Sequence, residues 1–250
     1  MIRLMQDINL ENYILILPSV AVGNVGQLSI DLLISNLNLH KIGQMFSSAF
    51  VPIVGANAYH EGSSELITTI DIYVGVEQRL VVLQIRSPYV GKLTGFFDQL
   101  ARFVVERKIA KVIILASSYD YEKRDIQPQH LKLRYVASSG IQSESGQLFD
   151  ELNWISHKLK VMSDTRQEGK LQIPGGGFAK SIFNFLSRAN IPCAILFKFC
   201  SEGDNIADAV ALVCYLNQWI CVLEINSDYN LKYPPSWKHL FGKPPPHDIY

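Results

Sequence analysis

Apolar residues in this chain gather in short unbroken runs. Tyr13–Leu17, Lys111–Ala116 and Ala194–Cys200 carry almost no polar interruption. A run of strand length with no alternation is the pattern of a strand covered on both faces. Leu66–Val74 and Leu80–Ile85 are β-branched runs joined by Gly75–Arg79, which predicts a hairpin. Val51–Val54 is short and contains a proline, so it predicts an edge or a strand start. Between these runs the spacing turns helical. Residues 26–38 predict one helix. Gly95–Lys108 predicts a second, with Phe96, Leu100, Phe103 and Val104 inward. Phe178–Arg188 predicts a third, with Ile182, Phe185 and Leu186 on one face. A long helix over Asn205–Leu223 opens on Asp204-Asn205, whose side-chain oxygens suit free backbone N–H groups. Residues 117–170 are polar and poorly periodic; Ser138–Gly140 and Ser163–Lys170 read as surface loops.

Strands alternating with helices predict an α/β fold, a three-layer α/β/α sandwich. The hairpin makes its central sheet mixed. Residues 1–232 form the expected single domain. Residues 233–250 form an expected Pro-rich C-terminal tail, because Tyr233-Pro234-Pro235 and Pro244-Pro245-Pro246 neither continue a helix nor enter a central strand.

A length of 250 residues suits one large core. Apolar residues at 48% against charged ones at 18% exclude global disorder. Lys plus Arg equals Asp plus Glu, 23 each, so no broad attraction for nucleic acid or an anionic membrane is expected. The same neutrality opposes self-association only weakly, which favours a protein partner. The chain has no apolar run near the ~20 residues of a membrane span, and Met1–Tyr13 does not read as a signal peptide. Cys193, Cys200, Cys214 and Cys221 include no CxxC pair, and the last two, seven apart, are expected on one helix face. Buried free thiols are expected, which points to the cytoplasm or nucleus.

Three segments invite a chemical reading. Gly23-Asn24-Val25-Gly26 sits between a strand and a helix, as phosphate loops do, but lacks the third glycine of a dinucleotide fingerprint and the lysine of a P-loop. It reads as a tight turn that lets a helix pack close to its strand. Gly175-Gly176-Gly177 opens another helix, so it suits an anion, a close backbone approach or a partner's landing place. Ser201–Asn205 joins a strand end to a helix start, where ligands of open α/β sheets bind. No G-x-S-x-G occurs and the six histidines are isolated in sequence. No catalytic residue, cofactor or metal is assigned.

LPSVAVGNVGQLSIDLLI (17–34), IPGGGFAKSIF (173–183), LFKFCSEGDNIADAVALVCYLNQW (196–219) and PPSWKHLFG (234–242) together resemble the proteasome assembly chaperone family, in order and over most of the chain. The resemblance implies a non-enzymatic protein with a phosphorylase-like fold. It also implies pairing with proteasome assembly chaperone 1 as a heterodimer. The pair binds α-subunits of the proteasome core particle, promotes α-ring assembly and prevents off-pathway ring dimers. Partner-binding residues expected on this basis are Gly175, Gly176 and Gly177, with Ile249 and Tyr250 at the C-terminus. The family's tail pattern places a tyrosine before the final residue, whereas Tyr250 is itself last. The alternative is a phosphate- or nucleoside-binding enzyme using Gly23–Gly26, Gly175–Gly177 and Ser201–Asn205 as one cleft.

Overall fold

The computed structural model describes residues 1–120, 133–157, 171–224 and 231–239. The strands are β1 (Ile2–Leu4), β2 (Ile14–Pro18), β3 (His40–Met45), β4 (Val54–Ala56), β5 (Leu66–Thr68), β6 (Ile70–Gly75), β7 (Leu80–Ile85), β8 (Lys111–Tyr119), β9 (Arg134–Ala137), β10 (Ile155–Ser156) and β11 (Cys193–Cys200). The helices are α1 (Val25–Asn36), α2 (Thr94–Glu106), α3 (Ser139–Glu151), α4 (Ala179–Arg188) and α5 (Ile206–Ile220). Among the described residues, nine strands form one sheet in the order β1-β3-β6-β7-β2-β8-β11-β9-β10, and β4 pairs with β5 apart from it.

The middle of the sheet is parallel: β7, β2, β8 and β11 all run the same way. On one flank β7, β6, β3 and β1 pair antiparallel in turn; on the other β9 is antiparallel to β11, and β10 is parallel to β9. The unbroken apolar runs are these middle strands, because each contributes to two cores. Leu15 and Leu17 face a core with Phe96 and Leu100 of α2 and Ile182 and Leu186 of α4. Ile16 between them faces a second core with α1, α3 and α5. Helices thus cover both faces of a mixed sheet, as the alternation of runs predicts.

Several expectations need correction. The run 66–74 breaks at Thr69: Leu66–Thr68 leaves to pair with β4, and only β6 joins β7 in the hairpin. Ser138–Gly140, expected as loop, is the N-terminus of α3, whose buried stripe is only Ile141, Ser145, Gly146 and Phe149. That stripe mixes small polar residues with apolar ones and hides the helical period. Cys221 does not share a helix face with Cys214. It ends α5 in a left-handed conformation, φ 48°, and is exposed. Nor does packing stop at residue 232. Pro235–His239 form a 3-10 turn, and Trp237 is buried in the second core.

Candidate functional site: a junction of three loops and a buried carboxylate

All four parallel strands end at the same side of the sheet. There the structure brings together the three segments singled out in the sequence. The Val22 N–H donates to the Gly175 carbonyl, 2.8 Å. Gly23 lies against the Asn205 amide and the Cys200 thiol. Ser19 Oγ donates to the Gly176 carbonyl and Ser118 Oγ to the Pro174 carbonyl, each 2.8 Å. Ser117 Oγ donates to the Val22 carbonyl at 2.5 Å. The hydroxyls of Ser19, Ser117 and Ser118 are therefore spent on the loops' own carbonyls. Asp204 Oδ1 accepts from the Ile206 N–H, so Asp204, rather than Asn205, caps α5 by its side chain. Lys198, buried on β11, pairs with Asp208 of α5 at 3.2 Å.

The glycines make this closeness possible. A Cβ on Gly26 would collide with the Leu115 carbonyl oxygen, so α1 rests directly on the β8 backbone. The reading of Gly23–Gly26 as a turn for close helix packing holds. Gly177 has φ +58° and lies where a Cβ would meet the Val20 carbonyl. Gly176 has no left-handed backbone; its Cβ position is 2.5 Å from Ile173 Cγ2. Gly175 packs on the Tyr119 ring, Gly176 is buried, and Gly177 is exposed at the edge of the junction. Ile249 and Tyr250 lie outside the described residues.

A second polar cluster escaped sequence reading. Asp31 projects from α1 into the second core. Its Oδ1 accepts from Tyr59 OH at 2.7 Å, Gln84 Nε2 at 2.5 Å and Arg86 Nη2 at 2.8 Å. Oδ2 accepts from the Trp237 indole N–H at 3.3 Å. Burial pushes the Tyr59 phenol well above its ordinary value, and the Asp31 charge adds to this. Burial alone would lower the Arg86 pKa, but the Asp31 carboxylate, its hydrogen bond and the neighbouring Tyr59 and Tyr73 together outweigh it, and the guanidinium is held charged. Asn36 completes the attachment of the C-terminal segment: its side chain exchanges two bonds with the Lys232 backbone, 2.8 and 2.7 Å. The available signals were an aspartate among Ile30, Leu32 and Leu33, and a tryptophan two residues beyond Pro234-Pro235. Beside this cluster, Leu37, His40, Tyr73, Lys232 and Pro235 line a groove of about 450 Å³.

The thiols are free. Cys193 is pushed up to about 12 by burial, which outweighs its contact with Ser138. No group of three or more metal-ligating side chains occurs among the described residues.

The molecule is thus a three-layer α/β protein whose customary ligand end is closed by its own loops. Over residues 15–232 it matches the PAC2 family, and the chain belongs to that family. It is 39% identical to mouse Proteasome assembly chaperone 2 over 94% of this chain and 93% of the mouse protein. Among solved structures it is similar to Pyrococcus furiosus PbaA, described as an archaeal homolog of proteasome-assembly chaperone. That likeness has a TM-score of 0.63 and 20% identity, covering 96% of this chain and 92% of that one. Pyrococcus furiosus PbaB, described as an archaeal proteasome activator, gives a TM-score of 0.62 at 16% identity over 90% of each chain. The two archaeal structures bear on the fold. The comparisons lend the enzyme alternative no support.

Proposed function

We propose that this chain is a non-enzymatic proteasome assembly chaperone that works as a heterodimer with proteasome assembly chaperone 1. The heterodimer binds α-subunits of the core particle, promotes α-ring assembly and prevents off-pathway ring dimers. The observation that carries the reading is similarity over nearly the full length of relatives named Proteasome assembly chaperone 2. The closed loop junction supports the non-enzymatic part, since its hydroxyls and carbonyls already satisfy one another. The working compartments are the cytoplasm and nucleus. Exposed Gly177 and the terminal Ile249 and Tyr250 are proposed partner contacts, with the buried Gly176 and half-buried Gly175 setting the loop's shape.

Co-expression with proteasome assembly chaperone 1 and core-particle α-subunits tests this. A 1:1 chaperone complex that raises the yield of single α-rings on native gels is expected. Failure to form the complex, with ring yield unchanged, overturns the reading. Removing Ile249 and Tyr250 should leave melting and pairing intact and speed release from α-rings; release at the original rate would place binding on the folded body.

A further inference from the structure

From Ile42 to Tyr59 the chain has no Asp, Glu, Lys or Arg, and Ser87–Gly91 has none either. An uncharged stretch of this length is ordinarily core. Here much of it lies on the surface. Val51, Ile53, Val54, Leu66, Tyr89 and Val90 are all exposed, Val54 at 68% and Val90 at 71%.

These residues come from three segments tied into one surface. The Val90 N–H donates to the Ala49 carbonyl and the Val51 N–H to the Pro88 carbonyl. Phe50 and Tyr89 form an antiparallel bridge. The Ile53 N–H donates to Thr69 Oγ1 at 2.9 Å, and β4 then pairs with β5 so that Ala56 faces Leu66. The surface is also built on a firm base. Arg86, just before Pro88, and Tyr59, just after β4, both bond to Asp31. It adjoins the loop junction, since the Tyr89 ring packs edge-on against Phe178 at 5.9 Å, next to exposed Gly177.

We infer that this ridge is the face on which the chain pairs with another chaperone subunit, one presenting an uncharged, apolar face. The proposal rests on the heterodimer reading and adds the location. Interface cores are set apart from ordinary surface by loss of charge and gain of aromatic residues. A two-stranded ribbon such as β4–β5 is marginal alone and gains from being covered. Charge stands only at the margins of the ridge, Glu65 beside Leu66 and Lys92 beside Gly91, so its middle offers little to an acidic or basic peptide, and burying a partner's charge there would leave that charge unpaired.

The test is the double variant Val54→Glu/Val90→Glu. Val76→Glu/Val105→Glu serves as the control, because both valines are also well exposed but lie off the ridge. The probe is proteasome assembly chaperone 1 from the same organism, with affinity read by calorimetry. The ridge variant should bind about 100-fold or more weakly, because each carboxylate loses its water against an apolar face. The control should bind within about 2-fold of the unmodified chain. Melting temperatures of all three chains verify folding. Equal affinity in ridge variant and unmodified chain contradicts the location while the pairing stands. No complex with the unmodified chain contradicts the pairing, and the ridge assignment with it. If the unmodified chain instead sediments with phosphatidylcholine vesicles and the ridge variant does not, the face belongs to lipid and the proposal fails.

Discussion

Two regions at the same end of the sheet have been put to opposite uses. The loop junction brings together the glycine-rich segments that first suggested a ligand, and it uses them up. Ser19, Ser117 and Ser118 donate to loop carbonyls, and α1 sits against the β8 backbone at Gly26. The ridge beside it carries residues that would be core elsewhere, yet Val54 and Val90 face outward. Polar groups that are satisfied internally have little left to offer a ligand. Apolar side chains left in water gain when covered, at roughly 25 cal/mol per Å². Room for a small ligand is therefore spent within the junction, while the apolar face beside it, with exposed Gly177 at its edge, is left for a partner.

The largest effects come from adding atoms to the junction. Gly26→Val should lower unfolding free energy by about 3 kcal/mol or more, since the new methyl groups meet a backbone carbonyl rather than a yielding side chain. Gly177→Ala adds left-handed strain to a collision with Val20 and should fall in the same range. Urea unfolding measures both. Native-like midpoints would mean that the junction is looser than described.

Asp31→Ala acts on the base of the ridge. It strips the buried Arg86 guanidinium of its carboxylate and unlatches Trp237, at a cost of about 3 kcal/mol. Partner affinity should fall with it, because Tyr59 and Arg86 hold the ridge segments. Stability lost with affinity kept would separate the network from the ridge.

Alkaline pH gives a smaller and graded effect. Cys193 is raised from 9.0 to about 12, and burial also raises Tyr59 and Tyr73, with the Asp31 and Asp71 charges as further causes. These groups stay neutral in the folded state after the unfolded chain has begun to lose its protons. Their contribution is fully present below about pH 9 and is lost as pH rises toward the folded values. The melting temperature should therefore be flat from pH 7 to 8.5 and fall above pH 9.5, less steeply in Cys193→Ala. A rise over that interval would contradict the burial of these groups.

The smallest effect sharpens the contrast. Val54→Glu/Val90→Glu should change the stability of the isolated chain by no more than about 0.5 kcal/mol, because exposed positions carry little of the fold. Substitutions that are costly at the junction and nearly free on the ridge distinguish internal packing from a face kept for a partner.

Much of the architecture was legible because the middle strands are buried on both sides. Tyr13–Leu17 and Lys111–Ala116 have only one reading when both neighbours are strands and both faces are helices. The helix with inward Phe96, Leu100 and Phe103 was equally plain. α3 was not, because Ser145 and Gly146 share its buried stripe with Ile141 and Phe149. Gly23–Gly26 was recognisable as a turn, and the other two loops as openings of helices. That they fill one another's space depends on hydroxyl and carbonyl positions that no local pattern carries. Asp31 was visible as an oddity in an apolar helix, but its partners lie 28, 53, 55 and 206 residues away. The ridge was hidden because an uncharged apolar segment reads as core until its exposure is known.

Hydrogen exchange of the chain, alone and bound to proteasome assembly chaperone 1, tests the division of labour most directly. Exchange over residues 49–56 and 88–91 should slow in the complex. Residues 19–24 should exchange equally slowly in both states and should not respond to added phosphate or nucleosides. Protection of residues 19–24 and 201–205 by phosphate or a nucleoside, with no change over 49–56, would contradict it.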